Sequence, residues 1–433
     1  MNIISTSNKD LLSALTGSKI LVIPLLSNYK VHYLHNQLSC VYIFDLNTFN
    51  EYTIGINHTD LPRNSQDILL EITAEQIYCY KPRYLTAFKD SIDIELLYWY
   101  YNNSKIYDAE FHSDILTIYT RWFKHIPNLN DCIPITKIYE YFRSIRANFQ
   151  LDIADLEIDA GYKYYHSTVL ANLIRLEQNG MKLDPIITPD VLHITDDMIY
   201  GYHELTSMTG RPSNHFQRIN FLALSKKDET RKCFISRFDG GKLVELDFNS
   251  FHPYLISKLI NYDFKGENPY VYLARKYFGN VLINHEMYNL AKEITFRAIY
   301  GQQIEQYSEI DFIKQIGEFT DKLWREFNTI GFIKTPLAKR KIQKSFFKAL
   351  TKNTLFNYFL QGIETEVMCK MLDVVVKNAT ERVVPILYTY DSILLDIDEK
   401  NSGFLELDNI YNSINVMQFP YTIKTGTTYK DIK

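Results

Sequence analysis

The 433-residue sequence has only five cysteines, and no two of them form a Cys-x-x-Cys pair. Cys40, Cys79, Cys132, Cys233 and Cys369 lie far apart. This spacing suggests neither a zinc knuckle nor a disulfide framework, and it suits a reducing compartment. No apolar run is long enough to span a bilayer, so no membrane partner is expected. No basic segment leads into a signal-type apolar core. A cytoplasmic location is expected, the host cytoplasm if the source is viral or phage. Internal repeats and low-complexity tracts are absent. An excess of positive charge is also missing: 47 Lys and Arg stand against 51 Asp and Glu, a formal net charge of −4. A protein of this balance that binds nucleic acid must concentrate its positive field locally.

The length is enough for two or three domains, and 46% of residues are apolar, as in a globular protein. Positive charge does cluster. Between Gly331 and Asn353 stand Lys334, Lys339, Arg340, Lys341, Lys344, Lys348 and Lys352, with no acid among them. The run reads either as a local positive field or as an ordinary solvated face.

Residues 1–130 alternate short apolar runs with polar turns. Lys19 to Leu26, Ser39 to Leu46 and Glu51 to Asn57 predict strands, and Ile94 to Tyr101 and Ile115 to Phe123 predict helices. Lys137 to Asn148 and Tyr162 to Asn179 predict helices, the second stopped by Gly180. Met181 to Thr206, with Pro185 and Pro189, predicts irregular structure. Lys242 to Asp247 is an apolar strand ending in an acid, where a carboxylate can hold a hard cation. Pro385 to Ile397 predicts a β-hairpin with Asp391 near its turn. Two acids on adjacent strand ends can share a pair of magnesium ions for in-line phosphoryl transfer. Each acid alone also reads as a solvated turn residue. Between them, Lys292, Phe296 and Tyr300 are spaced by four and fall on one helical face. There a cation can meet a triphosphate and a flat ring can meet a base. An amphipathic helix with core aromatics has the same spacing.

In order and spacing, these fragments resemble the family-A DNA polymerases over Leu170 to Ile397. Leu176 to Met181 is similar to the family's Glu-x-x-Gly element. Thr209-Gly210-Arg211-Pro212-Ser213-Asn214 is similar to its Thr-Gly-Arg-x-Ser motif, and Arg231 with Phe234 to its Arg-x-x-Phe step. Asp247-Phe248-Asn249-Ser250 stands at motif A, and Lys292-x-x-x-Phe296-x-x-x-Tyr300-Gly301 at the fingers helix. Gly331 to Thr335 with Lys339-Arg340-Lys341 resembles the Gly-Tyr-x-x-Thr stretch and the Gly-Arg-Arg after it. Asn357 with Gln361-Gly362 resembles Asn-x-x-x-Gln-Gly, and Tyr390-Asp391-Ser392 stands where His-Asp-Glu is usual.

The resemblance implies an α+β fold. It would be a right-hand polymerase with an antiparallel palm sheet, helical fingers and a reduced thumb, preceded by an α/β RNase H-like exonuclease-type domain. The expected domains are 1–130, a degenerate 3′–5′ exonuclease-like domain; 131–208, a helical thumb-like or connecting region; and 209–433, the palm, with fingers inserted near 262–353. The implied activity is template-directed addition of dNTPs to a primer 3′ end, with two Mg²⁺ ions (or Mn²⁺) on Asp247 and Asp391. Lys292, Phe296, Tyr300, His252 and Phe248 would bind the nucleotide, and Lys292 would also assist catalysis. Arg211, Ser213, Asn214, Asn357, Gln361, Lys339 and Arg340 would contact primer-template DNA. A processivity factor or another replication protein is a further implied partner, and so compact a chain suits a viral or phage source.

The sequence departs from the family pattern at several positions. Tyr288 replaces an Arg four residues before Lys292. His252 takes the place of the Glu that blocks a ribose 2′-OH, and is expected to act as the sugar gate by bulk. Tyr390 and Ser392 flank Asp391 in place of His and Glu, and the Ser also suits a single-subunit RNA polymerase or primase-like enzyme. A non-catalytic nucleic-acid-binding homologue is a third reading, opposed by the joint retention of Asp247, Lys292 and Asp391. Only about thirty residues separate Gly180 from Thr209, which implies a thumb that is much reduced or formed by the helices between Ile135 and Asn179, and short product runs unless a partner clamps the duplex. In the N-terminal part, Asp45-Leu46-Asn47 carries Asn where the nuclease pattern Asp-x-Glu has its Glu. Glu110 and Asp114, after Tyr107, resemble a third nuclease motif only loosely. Loss of proofreading is therefore expected, and an unrelated partner-binding α/β domain is the other reading.

Overall fold

Short runs of Val, Ile and Leu bounded by polar turns form the strands of the first part of the chain, and longer amphipathic stretches form its helices. The computed structural model describes residues 2–4, 9–28, 31–102, 129–152, 156–187, 197–216, 219–279, 282–301, 305–347, 349–401, 403–415 and 418–432. The chain divides into two compact units, Met1–Tyr162 and Lys163–Lys433.

The first unit is built on one mixed sheet. Its strands are β1 (Asn2–Ile4), β2 (Lys19–Leu26), β3 (Leu38–Asp45), β4 (Glu51–Gly55), β5 (Gln76–Cys79) and β6 (Ile92–Asp93), in the order β1-β4-β3-β2-β5-β6. β2 pairs antiparallel with β3 and parallel with β5. Every residue of β3 is buried, which requires cover on both faces of the sheet. Helix α1 (Ile94–Asn102) follows β6, and α2 (Ile135–Asp152) brings Ile138, Phe142, Ile145 and Phe149 inward at helical spacing. Phe142 stacks on Tyr42 with ring centroids 5.0 Å apart, and Phe149 meets Tyr78 edge-on at 5.0 Å. α2 therefore belongs to the first unit, and the boundary expected near 130 falls after Tyr162. The helix expected over Ile115 to Phe123, and Tyr107, Glu110 and Asp114, lie outside the described residues.

The boundary falls within α3 (Ala160–Tyr164), and the second unit continues into a π turn (Tyr165–Leu170) and α4 (Ala171–Asn179), the helical run expected from the sequence with one widened turn. Gly180, at φ 60°, ends it. The segment expected to be irregular carries three short strands, β7 (Met181–Leu183), β8 (Met198–Ile199) and β9 (His203–Glu204). Met181, Leu183 and Ile199 belong to the unit's core, and their burial outweighs the prolines nearby. β10 (Ser213–Phe216), β11 (Ile219–Asn220) and β12 (Phe234–Ile235) lead into β13 (Lys242–Phe248). Then come α5 (Phe251–Ile260), α6 (Pro269–Phe278), α7 (His285–Ile299), α8 (Asp311–Ile330), β14 (Phe332–Lys334), β15 (Lys341–Gln343) and α9 (Lys352–Lys377). β16 (Val383–Thr389), β17 (Ser392–Ile397), α10 (Gly403–Asn415) and β18 (Tyr421–Gly426) complete the unit.

The central sheet has the order β16-β17-β13-β18, with every neighbour antiparallel. A register shift between Pro385 and Leu387 breaks the β16 ladder where proline has no N–H to give. Leu243, Ile386, Leu387 and Leu394 project from this sheet into a core shared with Met181 and Phe234. Burying each such aliphatic side chain is worth roughly 1.5–3 kcal/mol, so the strand register that keeps them inside is strongly fixed. That register decides where the acids at the strand ends lie.

Candidate active site

β13 ends in Leu246-Asp247-Phe248, with Asp247 opposite Ser392 of β17 and Thr422 of β18. The β16–β17 hairpin turns through Tyr390 and Asp391, with Tyr390 in the left-handed region at φ 50°. The Phe248 N–H donates to the Asp391 carbonyl oxygen at 2.9 Å, tying the tip of the hairpin to the end of β13. Two acids remote in sequence thus stand at one end of one sheet, on the wall of a cavity of about 370 Å³. Asp391 opens onto that cavity, yet the walls withhold enough water for burial to be the largest influence on its carboxyl. Burial, the Asp247 charge and the Glu364 charge together push it up to about 6.

The facing wall is α7. Lys292, Phe296 and Tyr300 line the cavity in successive turns, as their spacing predicts, and Tyr288 continues the row by one turn. Phe296 and Tyr300 stack with centroids 5.9 Å apart and planes 14° from parallel. Tyr270 of α6 also lines the cavity, with its ring 6.4 Å from that of Phe296 and Lys292 Nζ 6.0 Å from its centroid.

The floor is a polar clamp. His252 lies in the first turn of α5, after a turn in which Ser250 adopts φ 49°. Tyr300 Oη and His252 Nδ1 are 2.9 Å apart, and His252 Nε2 lies 3.0 Å from Glu364 Oε1. Burial pushes the Tyr300 phenol up to about 12, so it stays a neutral hydroxyl. The second Glu364 oxygen accepts from the Arg211 guanidinium, which also lies 4.4 Å over the Tyr390 ring. Burial alone would raise the Glu364 carboxyl, but His252 and Arg211 together hold it below the usual range. One buried carboxylate therefore accepts from a guanidinium and faces an imidazole at the edge of the site.

Asp247, Asp391, Lys292, Phe296, Tyr300, His252 and Arg211 all border this cavity. Phe248 borders it too, but its ring is 2% exposed and packs on Phe251 and Tyr421, so it supports the site rather than reaching a nucleotide. Asn357 and Gln361 share a face of α9 with Glu364 and are half-buried beyond the cavity. Ser213 is half-buried on β10, and Lys339 is exposed in a turn. Two expectations fail. Arg340 is fully buried, donates to the Thr209 carbonyl oxygen at 3.2 Å and sits beside Glu366, so it holds the Thr-Gly-Arg loop rather than DNA. Asn214 is 2% exposed and packs so closely on Gly201 that a Cβ there would collide with it. Arg231 and Phe234 are structural as well: the Arg231 guanidinium lies 3.5 Å over the Tyr429 ring, and Phe234 is in the core.

Sequence reasoning missed Glu364, Glu245 and Lys424. Glu364 stands three residues past Gln361 on the same helix face, and Glu245 two residues before Asp247 on the same strand face; both periodicities were readable. Lys424, which donates to Asp247 Oδ2 from β18, gives no signal in its local sequence. Among the described residues no group of three or more His, Cys, Asp and Glu side chains is arranged to hold a metal. No described helix is long and apolar enough to cross a membrane.

No protein-family model matches the sequence, and no curated protein matches it. The solved structures do match. The whole chain superposes on 99% of the POL domain of Pol1 from M. smegmatis, in complex with DNA primer-template and dNTP, at 12% sequence identity and a TM-score of 0.66. The chain shares the fold of that domain.

Proposed function

We propose that this chain is a template-directed DNA polymerase that adds dNTPs to a primer 3′ end by two-metal-ion nucleotidyl transfer. The observation that carries the reading is the meeting of Asp247 and Asp391 across the cavity from the Lys292–Phe296–Tyr300 face. The shared fold with a domain described with primer-template and dNTP supports it.

Two carboxylates are a donor set that suits magnesium, which is usually held by one or two carboxylates together with substrate phosphates rather than by a full protein cage. The raised Asp391 carboxyl fits the same role, because a cation between the acids would relieve their repulsion. Asp247 and Asp391 would hold the ions, Mg²⁺ or Mn²⁺, which supply an activated 3′-oxygen and charge stabilisation on the leaving pyrophosphate. Lys292 would neutralise triphosphate charge and could protonate the leaving group. Phe296 stacks on the incoming base and Tyr300 closes the pocket. His252, held between Tyr300 and Glu364, fills the space where a ribose 2′-OH would project. Arg211 meets the primer terminus, with Asn357, Gln361 and Ser213 farther along the duplex and Lys339 near phosphates.

The first unit is read as an exonuclease-like domain without proofreading. Its mixed sheet, antiparallel on one side of β2 and parallel on the other, suits an RNase H-like domain. The sequence of β2, Lys-Ile-Leu-Val-Ile-Pro-Leu-Leu, offers no acid. The short strands β7, β8 and β9 between Gly180 and Thr209 support weak grip on the duplex, for which a processivity factor would compensate.

A primed template with Mg²⁺ and either nucleotide set tests the proposal. Extension with dNTPs is expected, in short runs under single-hit conditions, and His252→Ala should admit rNTPs. Extension with rNTPs alone would move the reading to a primase-like or RNA-making enzyme, and extension with neither set would sink it.

A further inference from the structure

Lys424 and Glu245 stand directly opposite one another on β18 and β13, and Asp247 follows Glu245 by two residues, so the three side chains share one face of the sheet. A lysine in this position can reach both acids, the cross-strand one and its diagonal neighbour. Here Lys424 Nζ donates to Asp247 Oδ2. Glu245 is 5% exposed. Its Oε1 accepts from Ser392 Oγ at 3.2 Å, while its Oε2 is buried without a hydrogen-bond partner. A buried carboxylate oxygen with no donor is costly, and a nearby ammonium on a flexible stem is the natural remedy.

We propose that Lys424 is a movable counter-ion for Asp247: it neutralises this acid before a divalent cation arrives and moves to Glu245 Oε2 when Asp247 takes up the cation. The inference rests on the reading of Asp247 as a metal ligand. Lys424 and Glu245 are then positioning residues that set the metal affinity of the site. Lys424 competes with the cation for Asp247, and Glu245 lowers the cost of losing that contest by accepting the displaced ammonium. The exchange breaks one ion pair and forms another, so no charge is stranded.

The test is Mn²⁺ alone, titrated into the full chain without DNA or nucleotide and followed by the electron paramagnetic resonance of free Mn²⁺. Lys424→Gln should bind Mn²⁺ about tenfold tighter than the wild type, and Glu245→Gln about tenfold weaker. In the Lys424→Gln background, Glu245→Gln should weaken binding by less than about threefold, because there is no ammonium left to accept. Lys424→Met gives the same comparison if Lys424→Gln does not fold. Affinity unchanged by loss of Lys424, or an equal effect of Glu245→Gln in both backgrounds, overturns the inference. Mn²⁺ binding that survives Asp247→Asn unchanged overturns the metal assignment as well. Loss of binding in Asp247→Asn with no effect of Lys424→Gln overturns only the role of the lysine.

Discussion

The acids of the two units end their strands in similar ways but differ in what surrounds them. Asp45, at the end of β3, is buried and accepts from the N–H groups of Asn47 and Thr48, from Thr48 Oγ1 and from Ser18 Oγ. Burial alone would raise its carboxyl, but these four donors hold it below the ordinary range. Asp93, at the end of β6, also accepts from the N–H groups of Glu95 and Leu96, but its deeper burial outweighs those two donors and raises its carboxyl. Asp391 has enclosure by the cavity walls and the charges of Asp247 and Glu364 in place of four donors, and its carboxyl rises. An acid that the fold satisfies is doing structural work, whereas an acid set against another acid leaves a negative field for a ligand to answer. The contrast ties Asp45 to the turn it closes.

The strongest way to break this comparison is Asp391→Asn in a primer-extension assay. The expected loss is about three orders of magnitude with duplex binding retained, as for removal of a principal transition-state stabiliser; extension within tenfold of the wild type would erase the distinction. Next is Arg340→Met, which strips a buried charge from Glu366 and should cost about 3–5 kcal/mol in urea unfolding. Third is a difference in sign. Asp45→Asn should destabilise the chain by roughly 1–3 kcal/mol, as four donors lose their carboxylate. Asp391→Asn should stabilise the cation-free protein, by on the order of 1 kcal/mol after solvent screening. The pH dependence follows the same sign: a carboxyl raised to about 6 costs stability in full above that pH. That cost fades as the pH falls from about 6 toward the unfolded value near 3.9. Cation-free wild type should therefore gain stability through that window relative to Asp391→Asn, as read by melts at a series of pH values. The smallest effect is expected for exposed Lys339→Ala, which should leave stability within about 0.5 kcal/mol and lower the salt slope of duplex binding by roughly 0.9.

Local patterns made much of this legible. β2, β3, β13 and the Asp391 hairpin appear where apolar runs and turns predict them, and the four-residue spacing of α7 gives its cavity face. Neighbouring residues with like chemistry were harder. Lys339 and Arg340 belong to one basic run, yet a left-handed turn at Lys339, φ 58°, leaves one side chain in solvent and sends the next inward to Thr209 and Glu366. No composition or charge count separates them; only tertiary packing does. Asn214 is similar, a polar residue in a polar motif whose burial depends on the absence of a side chain at Gly201. The α2 boundary was misplaced because a polar break marks a turn whether or not the next helix returns to the same sheet.

The hairpin tip has one more consequence. Tyrosine in the left-handed region costs about 1–3 kcal/mol that glycine would avoid, while the guanidinium resting on the Tyr390 ring returns about 0.5–2 kcal/mol. Exchange of Tyr390 for glycine would relax the backbone and remove the platform under Arg211 in the same stroke. At this position a more robust fold and a more accurate arrangement of reacting groups pull in opposite directions, so a search for thermostable variants is expected to select changes at Tyr390 that a search for activity would discard.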